Sequence, residues 1–236
     1  MIRGITSAAQ GMMAQMAAQD VTANNLANVN TSGFKRDVPA FSVFLTGADG
    51  AAPITQLDTQ AGCDFAQGSL KQTDDKLNFA LEGDGFFSVQ TAAGVAYTRD
   101  GSFTLSADGA LVTGSGDAVL GANGPIKLAP GSFSVDERGV ITQNGKAVDT
   151  LKVVSFADPQ GLRKLGGNLI TAPFTQATNA ATTTKVRQGY LESSNVNSVS
   201  EMVSMISGYR AYEASQKAAT AQDETLEKLV NEVGRV

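Results

Sequence analysis

Histidine is absent from this 236-residue chain, and so is tryptophan. The first absence removes imidazole from every mechanism that needs one, namely histidine-ligated metals and Ser-His or Cys-His nucleophiles. A single cysteine, Cys63, permits no intrachain disulfide and has no imidazole to activate its thiol, so it reads as an ordinary loop or packing residue. No run of about 20 apolar residues occurs, so no stretch reads as a membrane-spanning helix. Residues 1–19 do not read as a secretory signal. Ile5, Met12, Met13 and Met16 are interleaved with Thr6, Ser7, Gln10 and Gln15, where a signal core would be continuously apolar. Excess positive charge is lacking too. The net charge is −5, which leaves no basic footprint for nucleic acid.

What is present suits a folded, turn-rich protein. Hydrophobic residues make up 42% and charged residues 17%, enough apolar content for a packed core. Glycine is common, at 25, while proline is held to 6, which favours β structure with some uninterrupted helices.

The two ends read as long helices. From residue 3 to about 29, Ile5, Ala9, Met12, Met16, Ala23 and Leu26 share a face, widened by Met13 and Ala17. Gly4 and Gly11 weaken that helix by about 1 kcal/mol each relative to alanine, so it is expected to need a partner. From residue 198 to about 233, Ser198 and Glu201 fit a capping box. Val199, Met202, Ile206 and Tyr209 follow at 3-4-3 spacing, and Ala211, Ala214, Ala218 and Ala221 form a small-residue stripe that allows close helix approach. Leu226, Leu229, Val230 and Val233 close the pattern.

Between the helices lies a β body over residues 71–156. Leu77 to Leu81 alternates at period two, Gly83-Asp84-Gly85 turns, and Phe86 to Val89 returns. Further short strands are expected at 95–98, 102–105, 110–113, 118–120, 126–128, 133–135, 140–142 and 151–156. Asp100-Gly101, Asp108-Gly109, Asn123-Gly124 and Asn144-Gly145 are the hairpin signals. Residues 35–70 lack clear periodicity, with a flexible stretch at 47–53 and short extended pieces at Ile54–Leu57 and Phe65; residues 157–189 carry breakers at Asp158-Pro159 and Gly166-Gly167 and a weakly structured stretch at 177–184; both read as connecting arms. The expected class is α+β. Residues 1–34 with 190–236 form a discontinuous helical assembly domain, its helices pairing as an antiparallel, coiled-coil-like hairpin around a central antiparallel all-β domain.

Acidic residues offer no catalytic or metal site. Asp84, Asp100 and Asp108 precede glycines as turn chemistry dictates, and no D-x-[DN]-x-[DN]-G calcium loop is present. Asp74, Asp75 and Glu82 could act as a glycosidase pair only across a sugar cleft, which no aromatic platform supports. No catalytic, cofactor-binding or metal residue is assigned, and no enzyme activity is expected.

One stretch organises the rest. Residues 23–36, A-N-N-L-A-N-V-N-T-S-G-F-K-R, crowd Asn24, Asn25, Asn28 and Asn30 into the last turns of a helix and the loop after it. Asparagine is a poor helix-interior residue because its amide competes for backbone groups. Two readings stay open: a plain C-terminal cap, or amides that bridge to a neighbouring segment or subunit. Its counterpart is L-E-S-S-N-V-N at 191–197, followed by S-V-S-E-M-V-S-M-I and Y-R-A-Y-E.

These two motifs, at opposite ends and in this order, resemble the N- and C-terminal motifs of the bacterial flagellar axial family of rod, hook and hook-associated proteins. A-L-E-G-D-G-F-F-S-V-Q and Y-T-R-D-G-S-F-T-L in the middle are similar to the rod members. The compact length favours rod over hook. D-A-V-L-G-A-N-G-P-I leans toward the proximal-rod type and L-E-S-S-N-V-N toward the distal-rod type, and the two stay open. The resemblance implies a structural subunit of a helical, hollow rod in the periplasm that transmits torque and surrounds the export channel. It implies export through the flagellar type III apparatus without a cleaved signal. Its partners would be copies of itself and other rod and hook proteins, with no nucleic acid, small-molecule substrate or cofactor. The implied assembly residues are Asn24, Asn25, Leu26, Asn28, Gly33, Phe34, Leu191, Glu192, Ser194, Asn195, Val196, Asn197, Tyr209 and Tyr212, joined by the helix stripe of Ile5, Met12, Met16, Met202 and Ile206. Without the resemblance, the runner-up is a secreted β-rich carbohydrate-acting or adhesive protein.

Overall fold

The computed structural model describes residues 2–46, 54–173, 178–181 and 183–233. The stretch 47–53, read as flexible, lies outside the described residues, as do 177 and 182 within the stretch 177–184 read as weakly structured; the side chains of Ile5, Leu229, Val230 and Val233 lie outside them as well. The elements are helix α1 (Ile2–Ala27), strands β1 (Asp37–Thr46), β2 (Ile54–Cys63), β3 (Leu70–Gln72), β4 (Phe79–Glu82), β5 (Phe86–Thr91), β6 (Gly94–Thr98), β7 (Thr104–Leu105), β8 (Leu111–Val112), β9 (Ala118–Gly121), β10 (Gly124–Pro125), β11 (Phe133–Val135), β12 (Val140–Gln143), β13 (Lys146–Thr150), β14 (Val153–Phe156), β15 (Arg163–Gly166), β16 (Leu169–Thr171), β17 (Thr178–Ala180), β18 (Lys185–Gln188) and β19 (Tyr190–Glu192), and helix α2 (Ser198–Val233). The class is α+β, mainly antiparallel sheet with one helix near each end. The chain divides into two compact units. One holds residues 1–27, 37–64 and 197–236, and the other holds 28–36 and 65–196.

The second unit carries the β body. Its largest sheet runs β15-β16-β6-β5-β9-β8-β7, with β10 on β9 and with β14 joining β5 and β17. A three-stranded sheet β11-β12-β13 and the pairs β18-β4 and β19-β3 complete it. Phe79, Leu81, Phe87, Val89, Leu111, Val119, Ile126 and Ile141 are sealed from solvent in one cluster. A smaller cluster joins Phe86, Val154, Phe156, Leu162 and Ile170, with Tyr97 edge-on to Phe156 at 4.9 Å. Burying each such side chain stabilises the fold by about 1.5–3 kcal/mol.

Of the hairpin signals, Asn144-Gly145 joins β12 to β13 with both residues at positive φ, 52° and 71°, as a tight hairpin turn requires. Asp108-Gly109 joins β7 to β8. Asp100-Gly101 does not form a hairpin: β6 pairs with β5 and β16, never with β7. The chain turns aside there because Gly101 O accepts from Phe79 N at 3.0 Å and Ser102 bridges Asn78.

Both stretches read as connecting arms contain strand, β2 beginning at Ile54 where a short extended piece was expected. β1 and β2 form a ten-pair antiparallel hairpin, from Asp37 opposite Cys63 to Thr46 opposite Ile54. Residues 163–188 supply β15 to β18. β15 and β16 pair with each other as a short hairpin, while β16 also pairs with β6, β17 with β14 and β18 with β4, partners that lie far off in sequence.

The first unit combines α1, the β1-β2 hairpin and α2. The two helices contact each other and run antiparallel. A Cβ on Gly11 would lie 3.9 Å from Ser215 Oγ, one on Gly208 would lie 3.1 Å from Gln15 Nε2, and Asn25 meets Glu201.

Candidate assembly site

The two motif stretches build two clasps, one inside each unit. In the first unit the last turn of α1 is buckled to the first residue of β1. Asn25 Nδ2 donates to Asp37 O at 2.8 Å and its Oδ1 accepts from Asp37 N at 2.8 Å, so the carboxamide pairs with backbone as a strand would. Asn24 Nδ2 donates to the Asp37 carboxylate at 3.2 Å. Asn25 Nδ2 also reaches Glu201 Oε2 at 3.4 Å, in the first turn of α2. Asn25 and Glu201 are 1% and 2% exposed.

The capping of α2 differs from the expected box. Asn197 Oδ1 accepts from Ser200 N at 3.1 Å and Asn197 O from Glu201 N at 3.0 Å, which makes Asn197 the N-cap. An S-x-x-E pattern fits the box by sequence, but the Glu201 carboxylate is placed at Asn25.

In the second unit the loop 28–36 is stitched to residues 191–196 around a buried carboxylate. Lys35 Nζ donates to Glu192 Oε1 at 2.7 Å and Arg99 Nε to Glu192 Oε2 at 2.6 Å, with all three side chains nearly sealed from solvent. Gly68 N donates to Glu192 Oε1 at 2.9 Å. Lys35 Nζ spends a second proton on Ala66 O at 2.8 Å. The Arg99 guanidinium satisfies Leu81 O at 3.2 Å, Gly83 O at 2.5 Å and Gly85 O. A buried carboxylate is tolerated only when paired and hydrogen-bonded, and this one has both.

Around it, Gly33 N donates to Glu192 O at 2.8 Å, and Asn195 Oδ1 accepts from Arg36 N at 2.7 Å while its Nδ2 donates to Ala66 O at 3.1 Å. Gly33 has φ 67°, and a Cβ there would collide with the Asp100 backbone, so both conformation and space demand glycine. Phe34 is buried under the Lys164 ammonium, 4.1 Å above its ring centroid.

This arrangement has no reacting group poised against another, and among the described residues no cluster of ligands could hold a metal ion. It ties chain to chain. Three family descriptions match the same segments: "Flagella basal body rod protein" over residues 5–35, "Flagellar hook protein FlgE/F/G D1 domain" over 80–143, and "Flagellar basal body rod FlgEFG protein C-terminal" over 187–232. The flagellar basal-body rod protein FlgG of Bacillus subtilis is 35% identical over 261 residues, covering 98% of this chain and 99% of the relative. The chain belongs to the flagellar basal-body rod protein family. It is also 34% identical to the flagellar basal-body rod protein FlgF of Caulobacter vibrioides, covering 96% of this chain and 97% of that one. The flagellar hook-basal body complex protein FlhO of B. subtilis is 30% identical over both full lengths. A structural role in the basal-body rod follows from this membership.

In this rod-family chain the motif residues are placed in two groups. Asn25, Gly33, Phe34, Glu192 and Val196 are buried, and Leu26, Asn28, Leu191, Ser194 and Asn195 are half-buried. Asn28 O accepts from Thr31 N and its Oδ1 from Thr31 Oγ1, closing the turn after α1. Ser194 Oγ accepts from Val196 N at 3.2 Å. Asn24 and Asn197 are exposed. Of the helix stripe, Met12 and Tyr212 are half-buried, while Met16, Met202, Ile206 and Tyr209 are exposed, each by about half. Ile5 lies on α1, its side chain outside the described residues.

Sequence reasoning missed Lys35, Asp37 and Arg99. Lys35 and Arg99 stand in the very stretches that carry the family likeness, F-K-R and Y-T-R-D-G. The signal was an acid, Glu192, between apolar and turn residues, with bases elsewhere in the motifs. Spacing alone could not pair residues 93 and 157 positions apart.

Proposed function

We propose that this chain is a subunit of the flagellar rod that assembles helically with copies of itself and with other rod and hook proteins, in the periplasm, into a hollow shaft that carries torque and encloses the export channel. It leaves the cytoplasm through the flagellar type III apparatus without a cleaved signal, and it catalyses no reaction. The terminal helices pair in a coiled-coil-like manner and form, with the motif stretches, the assembly domain. The residues that meet other subunits are those of the exposed helix stripe, with the motif stretches shaping their presentation.

One observation carries this reading. Val199, Met202, Val203, Ile206 and Tyr209 lie on α2 at 48–68% exposure, and Met13 and Met16 on α1 at 65% and 53%. A lone exposed leucine needs no explanation, but a run of large apolar side chains along one helix marks a surface that is covered in use. A repeated contact that does not close on itself builds a filament, which suits a shaft.

The test is deletion of the gene with electron microscopy of purified basal bodies, followed by complementation. Truncated rods without hooks and lost motility are expected, and Ile206→Asp should fail to restore them while the purified variant keeps its β fold by circular dichroism. Complete rods in the deletion strain, or normal motility with Ile206→Asp, would overturn the reading. Ligand screening of the β unit for a carbohydrate-acting or adhesive role would then come first.

A further inference from the structure

Helix α2 turns the wrong face inward, by the measure of hydrophobicity alone. The side chains it turns toward the inside of its unit are Glu201, Met205, Gly208, Tyr212, Ser215 and Ala219, spaced alternately four and three apart as in a helix-pairing seam. Over the first three turns that face offers one methionine and one tyrosine beside an acid and a glycine. The outward face over the same turns offers Val199, Met202, Val203, Ile206 and Tyr209. Burial stabilises in proportion to apolar area. Left to that effect, α2 would rotate about its axis and cover the stripe against α1.

We propose that Asn25 and Glu201 are phase-setting residues that hold α2 in its outward-stripe orientation. Asn25 is itself fixed, because Asp37 backbone N and O engage both ends of its carboxamide at 2.8 Å. It presents one remaining Nδ2 proton to Glu201 Oε2 at 3.4 Å. In the rotated alternative Glu201 would leave this donor, and the large stripe residues would meet Asn25. A single buried polar pair sets orientation in helix seams in the same way, since the wrong arrangement strands a polar group. Gly208 assists by letting the backbones approach, but it faces Gln15 Nε2, the far end of a flexible side chain, which can yield. The polar pair therefore sets the phase, while Gly208 only permits it.

The geometric claim concerns a single chain and stands without the rod reading. Its purpose, keeping the stripe available to other subunits, rests on that reading. Met202 and Met205 supply a matched probe, the same side chain on the exposed stripe and on the inward seam, exposed and half-buried respectively. In the full-length monomer with Cys63→Ser, Met202→Cys and Met205→Cys are labelled separately with a thiol reagent, and the ratio of rates is taken. In the parent the 202 site labels faster. With Asn25→Leu plus Glu201→Leu the ratio should fall about tenfold or invert, as expected for loss of a charge-assisted hydrogen bond that separated two orientations. An unchanged ratio, or an equal rise at both sites, overturns the proposal. If the double variant loses its helical signal, Glu201→Met decides by the same ratio, because Asn25 then keeps both bonds to Asp37.

Discussion

The β unit and the helical unit of this chain both bury charge, but they differ in what they leave in solvent. The β unit draws charge inward, with Glu192, Lys35 and Arg99 nearly sealed from solvent and each bonded to named partners. The helical unit leaves Val199, Met202, Val203, Ile206 and Tyr209 outside and gives the protected face of α2 to Glu201, Gly208 and Ser215. A chain that can bury charge at that cost does not leave five large apolar side chains in water through lack of means. The β unit seals charges that it can pair, and the helical unit leaves a continuous apolar stripe along α2 exposed.

The sharpest way to break the comparison is to strike the charge that the β unit buries. Glu192→Ala leaves two cations without their carboxylate and Gly68 N–H without an acceptor, so a loss of about 3–5 kcal/mol is expected in urea denaturation. Replacing the trio by Lys35→Met, Arg99→Met and Glu192→Leu should not restore stability. Arg99 also donates to the carbonyls of Gly83 and Gly85, and to that of Leu81 beside Gln67 Nε2, and methionine would withdraw these bonds. Full recovery in the triple variant would show an ordinary ion pair that apolar side chains can replace.

Next in size is the contrast in local stability. In the monomer, trypsin should cut at Arg210, Lys217 and Lys228 on α2 on the order of tenfold faster than at Lys152 or Arg187 in the β unit, because a helix with one covered face opens at low cost. Equal rates would mean that the helical unit is already complete in the single chain.

The sequence made some of this contrast legible. Local signals were sufficient in some places: Asn144-Gly145 specified its turn, and the apolar spacing marked the extent of α2, while the near-neighbour pairs β1-β2 and β15-β16 fell within stretches read as arms. Contacts between distant segments were not legible. Nothing near Glu192 indicates that Arg99 is its partner, and β17 and β18 have no pattern of their own because remote strands supply their pairing. The apolar spacing of Val199, Met202, Ile206 and Tyr209 did identify a real stripe. Spacing reports that a face exists, but it is silent on whether that face is covered by the chain's own other helix or left outside.

A smaller effect tests how α2 begins. Asn197→Ala removes the acceptor for Ser200 N and should cost about 1 kcal/mol of helix stability, read as a lower midpoint for loss of the far-ultraviolet helical signal. Ser198→Ala should leave it nearly unchanged. The reverse order would restore Ser198 as the cap and Glu201 as its box partner.

The smallest expected effect lies in the β unit and concerns Asp100. Burial pushes its carboxyl above the ordinary value of 3.8, against the opposing pull of hydrogen bonds from Ser102 N and Oγ. A raised value in the folded state means that the fold holds this proton more tightly than the unfolded chain does. The favourable contribution is then fully present below about pH 3.8 and is lost as pH rises through the folded-state value. Asp100→Asn keeps an acceptor for Ser102 and cannot ionise. The parent should therefore lose stability relative to this variant as pH rises from 3 toward neutrality, by under about 1 kcal/mol, since the hydrogen bonds offset part of the burial cost. Urea midpoints of the two proteins measured at each pH give the difference directly. A difference independent of pH would mean that the Ser102 bonds match burial, and one that grows as pH falls would mean that they outweigh it.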